Sequence, residues 1–167
     1  MEKIGQENIP IASPEAIVKA ARGSMIGAFV GDALGAPLEY GRGEVSLKDV
    51  EQALEFTFVN TKGGIQVGHG QVTDDSEMAI CIAHAFAESG PSTLDVRLLE
   101  KYFALWMGSK NPFMGKTTRV SLAAASAESP NPAALYERTK KECPDSQSNG
   151  GLMRCYPIGI WCRNLTV

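Results

Sequence analysis

Two adjacent carboxylates flanked by hydroxyls, Thr73-Asp74-Asp75-Ser76, are the groups in this chain best placed to do chemistry. A glycine-rich approach (Gly63, Gly64, Gly68, Gly70) leads into them and lets backbone come close to another group. Adjacent Asp residues at a rigid helix start can each send an oxygen to a different hard cation, with the Thr hydroxyl as a further ligand. A simpler account also exists. A helix N-terminus carries unpaired N–H groups and a partial positive charge, so acids belong there on structural grounds alone. Asp74 with Glu77 three residues on has the form of a capping box. Capping explains one carboxylate and does not need two. On these residues alone both readings stand, with capping the simpler.

Two other stretches gather polar groups. Gly31-Asp32-Ala33-Leu34-Gly35-Ala36-Pro37 is expected to break a long helix, leaving Glu39 on the loop beyond, facing either a cleft or solvent. Ser146-Gln147-Ser148-Asn149-Gly150-Gly151 is a polar loop that feeds an apolar helix containing Tyr156, Pro157, Ile160 and Trp161. Such a loop can present N–H groups to phosphate or ribose oxygens, or serve as an ordinary N-cap turn.

Helices have to position all three. Ser13-Pro14-Glu15 supplies an N-cap, a first-position proline and a first-turn acid, predicting a helix over 14–36. That helix carries Gly23, Gly27, Gly31 and Gly35 on one stripe. Each costs up to about 1 kcal/mol relative to alanine, which implies close approach of another helix or a ligand, and a central place in the fold. Residues 40–72 read as mostly irregular, with a short helix at Leu47–Leu54 and a strand-like piece at Phe56–Val59. Met78, Ile82, Ala85 and Phe86 mark the buried face of a helix over Thr73–Ala87, stopped by Ser89-Gly90-Pro91. Leu99, Tyr102, Phe103 and Trp106 mark a second core helix. Thr117–Ala127 is a small-residue helix, and Asn131-Pro132 opens another that Cys143-Pro144 closes. The expected fold is all-α and multi-helical, with a loose tail over 1–13 and one domain over 14–167.

Composition narrows the class. A chain of 167 residues suits a single core. Its 16 Lys+Arg against 19 Asp+Glu argue against general nucleic-acid affinity, which needs concentrated positive charge. No apolar run reaches the roughly 18 residues of a membrane span, and Met1-Glu2-Lys3 is followed by no secretory apolar region. Cys81, Cys143, Cys155 and Cys162 show no CxxC spacing, and Cys81 and Cys162 sit among apolar residues. They read as buried free thiols in a cytoplasmic protein. With His69 and His84 the only histidines, a His/Cys zinc site is not expected.

The three polar stretches, taken in order, resemble the ADP-ribosylglycohydrolase family. Thr73-Asp74-Asp75-Ser76 is similar to its Thr-Asp-Asp-Thr signature, Asn149-Gly150-Gly151-Leu152-Met153-Arg154 to its Asn-Gly-x-x-Met-Arg stretch, and Thr117-Thr118-Arg119 to its Thr-Thr-Arg. The resemblance tips the balance toward metal binding. It implies an all-α, orthogonal multi-helical domain with two divalent ions, Mg2+ or Mn2+, in a cleft between helices. Thr73, Asp74 and Asp75 would be metal ligands; Glu39, Asp74 and Asp75 would be catalytic; Ser148, Asn149 and Gly150 would hold the ADP-ribose. The implied reaction is hydrolysis of the bond between ADP-ribose and its acceptor, as in protein de-ADP-ribosylation. The family's second acidic motif, Asp-x-Asp-Thr, has no match, so the chain reads as its N-terminal half only. That implies weak metal binding alone, and either a dimer or a polypeptide that supplies the missing half. The alternative is a relative without turnover, binding ADP-ribose or serving a crystallin-like structural role.

Overall fold

The computed structural model describes residues 13–39, 44–55, 59–60 and 65–163. The expected tail over 1–12, Gly63, Gly64 and residues 56–58 of the expected strand lie outside these. The fold is all-α, with one two-residue antiparallel ladder in which β1 (Val59–Asn60) pairs with β2 (Gln66–Val67).

Helix α1 spans Pro14–Glu39, and the Ser13 hydroxyl caps it by accepting from the Ala16 N–H at 3.2 Å. It does not break at Gly31–Pro37, contrary to the sequence expectation. Pro37 sits in the last turn, so its missing N–H removes only one hydrogen bond next to a helix end that leaves carbonyls unpaired anyway. Glu39 is therefore the final helical residue and not a loop residue. The short helix at Leu47–Leu54, α2, forms as expected, with a capping box between Ser46 and Asp49.

The centre is α3 (Asp74–Ser89), not α1. Its Met78, Ile82, Ala85 and Phe86 are all buried, and it packs on α4 (Val96–Gly108), on α7 (Tyr156–Cys162) and on α1. Gly90 at φ 90° ends it, a conformation that favours glycine. Met78 and Cys81 meet Trp106, Met114 and Leu122 in the main core cluster. The small-residue helix is shorter than its sequence suggests: α5 covers Lys116–Leu122 and gives way to turns. Helix α6 (Pro132–Glu142) starts at the expected Asn131 cap, whose side chain accepts from the Ala134 N–H. All four cysteines are free, but only Cys81 is buried and Cys162 is exposed, because α7 turns that side outward.

Helix α1 buries only Ala33 and Ala36. A Cβ built at Gly23, Gly27, Gly31 or Gly35 meets nothing within 4 Å, so the stripe is no close-packing seam among the described residues. Ile26 is 61 % exposed along the same helix. In this chain, Gly27→Ala therefore raises stability by up to about 1 kcal/mol in a urea melt, through helix propensity alone. A loss of stability would show that another segment seats closely on that face.

Candidate active site

The start of α3 is tied down from α1. One Asp32 oxygen accepts from the Thr73 N–H (2.9 Å), the Ser76 N–H (3.2 Å) and the Ser76 hydroxyl (2.6 Å); the other accepts from the Thr73 hydroxyl (2.7 Å). Thr73 and Ser76 are 1 % exposed. Two helix-start N–H groups that would otherwise lack partners are thereby satisfied by a side chain 41 and 44 residues away. Thr73 itself is the N-cap of α3, accepting from the Asp75 N–H. The capping box expected between Asp74 and Glu77 does not form. Asp74 is the first helical residue, and Glu77 instead accepts from Trp106 and Asn111.

Relieved of capping, Asp74 and Asp75 face a cavity of about 210 Å³ together with Glu39. Ser148, Asn149 and Gly150 line its other side, and Phe113, Gly115 and Thr118 contribute as well. The structure thus brings six of the seven residues singled out from sequence to one cavity, and Thr73 lies buried beneath it. Arg119, quoted with the Thr-Thr-Arg stretch, is exposed and outside the cavity lining, while its neighbour Thr118 is buried in the wall. A second lobe of about 340 Å³ adjoins, floored by Gly31 and Gly35 and edged by Asp32, Glu39, Asp75 and Tyr156. The bare C-terminal half of the glycine stripe therefore opens onto a cavity rather than onto a helix.

The turn at Asn149–Gly151 is one 3-10 turn, capped by the Ser148 hydroxyl, which accepts from the Gly150 N–H at 3.2 Å. Arg154 holds it from below: its Nε donates to the Gly150 carbonyl, Nη1 lies on the Met78 sulfur, and Nη2 reaches Thr118 at 3.5 Å. Its guanidinium also lies 5.7 Å from the centre of the Phe103 ring. A Cβ at Gly150 would come within 2.9 Å of Arg154 Nη2 and 3.2 Å of Ser148 Oγ, so a larger residue there would displace the end of the guanidinium. Sequence reasoning gave Arg154 and Asp32 no role. The available signal for Asp32 was a charged residue between glycines inside an apolar helix.

The carboxylates crowd one another. Burial and the Asp75 charge push Asp74 up to about 6, with Glu39 adding to the effect and Arg154 opposing it. Asp75 is raised by burial and by Asp32; Glu39 is raised by burial, Asp75 and Asp32. No ion pair among the described residues reaches Glu39, Asp74 or Asp75. Because Asp74 holds its proton longer when folded than when unfolded, the chain loses stability as pH rises from about 4 to about 6. The loss amounts to at most roughly 3 kcal/mol. Thermal melts in EDTA across that window test this, and rising stability would contradict it.

Hard oxygen donors that raise one another's proton affinity, with Arg154 acting only at a distance and no ion pair among the described residues, fit a divalent ion. Asp32, with both oxygens taken by four donors, is not available as a ligand. Among the described residues no three His, Cys, Asp or Glu side chains converge to hold one ion. The donor set of the described residues is of the type that suits a hard cation. None of the described helices is long and apolar enough to cross a membrane.

Comparison with known proteins agrees with this geometry. The family model for ADP-ribosylglycohydrolase matches residues 13–166. An ADP-ribosyl-[dinitrogen reductase] glycohydrolase from Rhodospirillum rubrum is 33% identical over 141 residues, covering 84% of this chain and 44% of the relative. An ADP-ribosylarginine hydrolase from Serratia proteamaculans is 26% identical over 151 residues, covering 86% of this chain and 37% of the relative. The chain spans less than half the length of either. No solved structure matches. With the family model matched from the first turn of α1 to beyond α7, the chain belongs to the ADP-ribosylglycohydrolase family.

Proposed function

We propose that this chain forms the carboxylate-bearing part of a metal-dependent hydrolase that cleaves ADP-ribose from a protein acceptor. The observation that carries the reading is the single cavity in which Glu39, Asp74 and Asp75 face the Ser148–Gly150 turn. Thr73, Asp74 and Asp75 would hold Mg2+ or Mn2+, two ions in the complete site. Bound there, such ions supply orientation of the ribose diol, polarisation of the glycosidic link and a lowered pKa for a water. The Ser148–Gly150 turn, braced by Arg154, binds the ADP-ribose through its polar side chains and backbone. Glu39, on the final turn of α1, would place negative charge at the cleft edge where an oxocarbenium-like transition state gains positive charge.

In this reading, with no three His, Cys, Asp or Glu ligands converging among the described residues, the rest of the shell comes from a second copy or from a polypeptide matching the rest of the relatives' length. The exposed apolar side of α1 is the surface on which such a segment would seat. The free thiols suit a reducing cytoplasm. A second reading, ADP-ribose binding without turnover, draws on the same lack of three converging ligands. The test is to incubate ADP-ribosylated protein and Mg2+ with residues 1–167, alone and with a polypeptide covering the unmatched part of the Rhodospirillum rubrum relative. Release of ADP-ribose by the mixture supports hydrolysis. ADP-ribose binding without release in either sample supports the second reading, and neither binding nor release overturns both.

A further inference from the structure

We propose that Glu77 is a positioning residue for this cleft, fixing the wall that faces the Ser148–Gly150 turn. The inference rests on the reading of the cavity as an ADP-ribose site. Glu77 stands one turn after Asp74 on α3, but its carboxylate points into the protein. One oxygen, Oε2, accepts from the Trp106 indole N–H at 2.7 Å and from the Asn111 side-chain amide. Asn111 in turn accepts the Phe113 N–H on its Oδ1 at 2.7 Å, and its own carbonyl accepts from the Met114 N–H at 3.4 Å. Phe113, so fixed, and Gly115, which follows Met114, line the cavity beside Asp74 and Asp75.

The segment requires such a hold. Lys110, immediately before it, has φ 55°, a left-handed conformation that side-chain-bearing residues adopt at a cost. Asn111 and Phe113 are 8 % and 4 % exposed, so their polar groups must find partners inside the protein. Glu77 supplies the acceptor that connects this strained turn to the same helical turn that carries Asp74. The distance across the cleft is thereby set from one rigid element, which is how a binding site keeps its geometry before ligand arrives.

Both donors use one oxygen, so Glu77→Gln can retain them while Glu77→Ala cannot, and Asn111→Ala removes the amide bond to Glu77 and the acceptor of the Phe113 N–H while leaving the Trp106 bond. The experiment measures ADP-ribose affinity by calorimetry and amide exchange at Phe113 and Met114 by NMR, with Ile82→Ala as a core truncation remote from the cleft. Glu77→Ala and Asn111→Ala are expected to weaken binding about tenfold and to speed Phe113 exchange. Glu77→Gln is expected to restore both, and Ile82→Ala to lower Tm with parental affinity. Parental exchange at Phe113 in Glu77→Ala overturns the proposal, as does an affinity loss in Ile82→Ala equal to that in Asn111→Ala. If the parent chain binds no ADP-ribose, the proposed function fails. The exchange comparison then decides the role of Glu77 alone: faster exchange in Glu77→Ala supports it and unchanged exchange overturns it.

Discussion

In the complemented protein, Asp74→Asn and Asp75→Asn each lower ADP-ribose release by on the order of a hundredfold to a thousandfold, the scale of losing one preorganised charge at a reacting centre. The argument has two parts. The cap of α3 is Thr73, so neither Asp is needed to satisfy the helix start. Their structural value is attraction to the helix dipole, about 0.3–1 kcal/mol each, with local hydrogen bonds to their own backbone N–H groups and, for Asp75, to the Thr73 hydroxyl at 3.2 Å. Against that stands the cost of burying carboxylates side by side, visible in the raised proton affinity of Asp74, Asp75 and Glu39. The proposed cation would relieve a pair this unfavourable in the bare chain. The same proposal sets the expected metal behaviour: residues 1–167 alone should bind Mg2+ weakly, because a partial shell leaves an ion that favours octahedral geometry largely hydrated. Isothermal titration and single-turnover release check both statements. Full activity in either Asn variant would return these residues to a structural role, and tight Mg2+ binding by the chain alone would remove the argument from an incomplete shell.

Asp32→Ala should be among the most destabilising single substitutions in this chain, by about 3–5 kcal/mol in a denaturant melt. Four donors at 2.6–3.2 Å lose their acceptor at once, and all four belong to Thr73 and Ser76, each 1 % exposed. A buried donor left without a partner costs about 1–3 kcal/mol, and part of this is recovered where water enters from the adjoining lobe. Removing the charge also relieves Asp75 and Glu39, both raised by Asp32, which offsets some of the loss. Asp32→Asn should fall between, since an amide offers one acceptor oxygen and brings two donors of its own. The effect reaches function as well. With Asp32 gone, the start of α3 is no longer registered against α1, so Asp74 and Glu39 lose their common frame. A melt within 1 kcal/mol of the parent would show that this tether contributes little.

The short-range features were legible in the residues. The caps at Ser13 and Asn131 are set by side chains reaching three residues along their own helix, and the buried face of α3 by a period of 3.6. The terminator at Gly90 is likewise local, since φ 90° favours glycine. Motif order was enough to assign the family and to name six residues that line one cavity. Features that depend on distant partners were misread. The glycine stripe suggested a central, tightly packed α1, whereas among the described residues α1 lies at the periphery with open space over each glycine of the stripe. A pattern of small residues records that something comes close, and carries no statement of what it is.

By itself, then, the sequence determined the helical class, most helix starts, the negative charge balance and the chemical type of the site, hard oxygen donors opposite a polar glycine turn. Only the tertiary structure decided that Asp32 serves as an acceptor for the start of α3, that Arg154 braces the Asn149–Gly151 turn, and that Glu77 binds Trp106 and Asn111 rather than capping its own helix. The physical reason is the same in each case. A carboxylate or guanidinium is satisfied by whichever donors or acceptors the packing of α1, α3, α4 and the 146–154 segment brings within about 3 Å, and those partners lie 29 to 76 residues away or across a turn whose shape that packing sets.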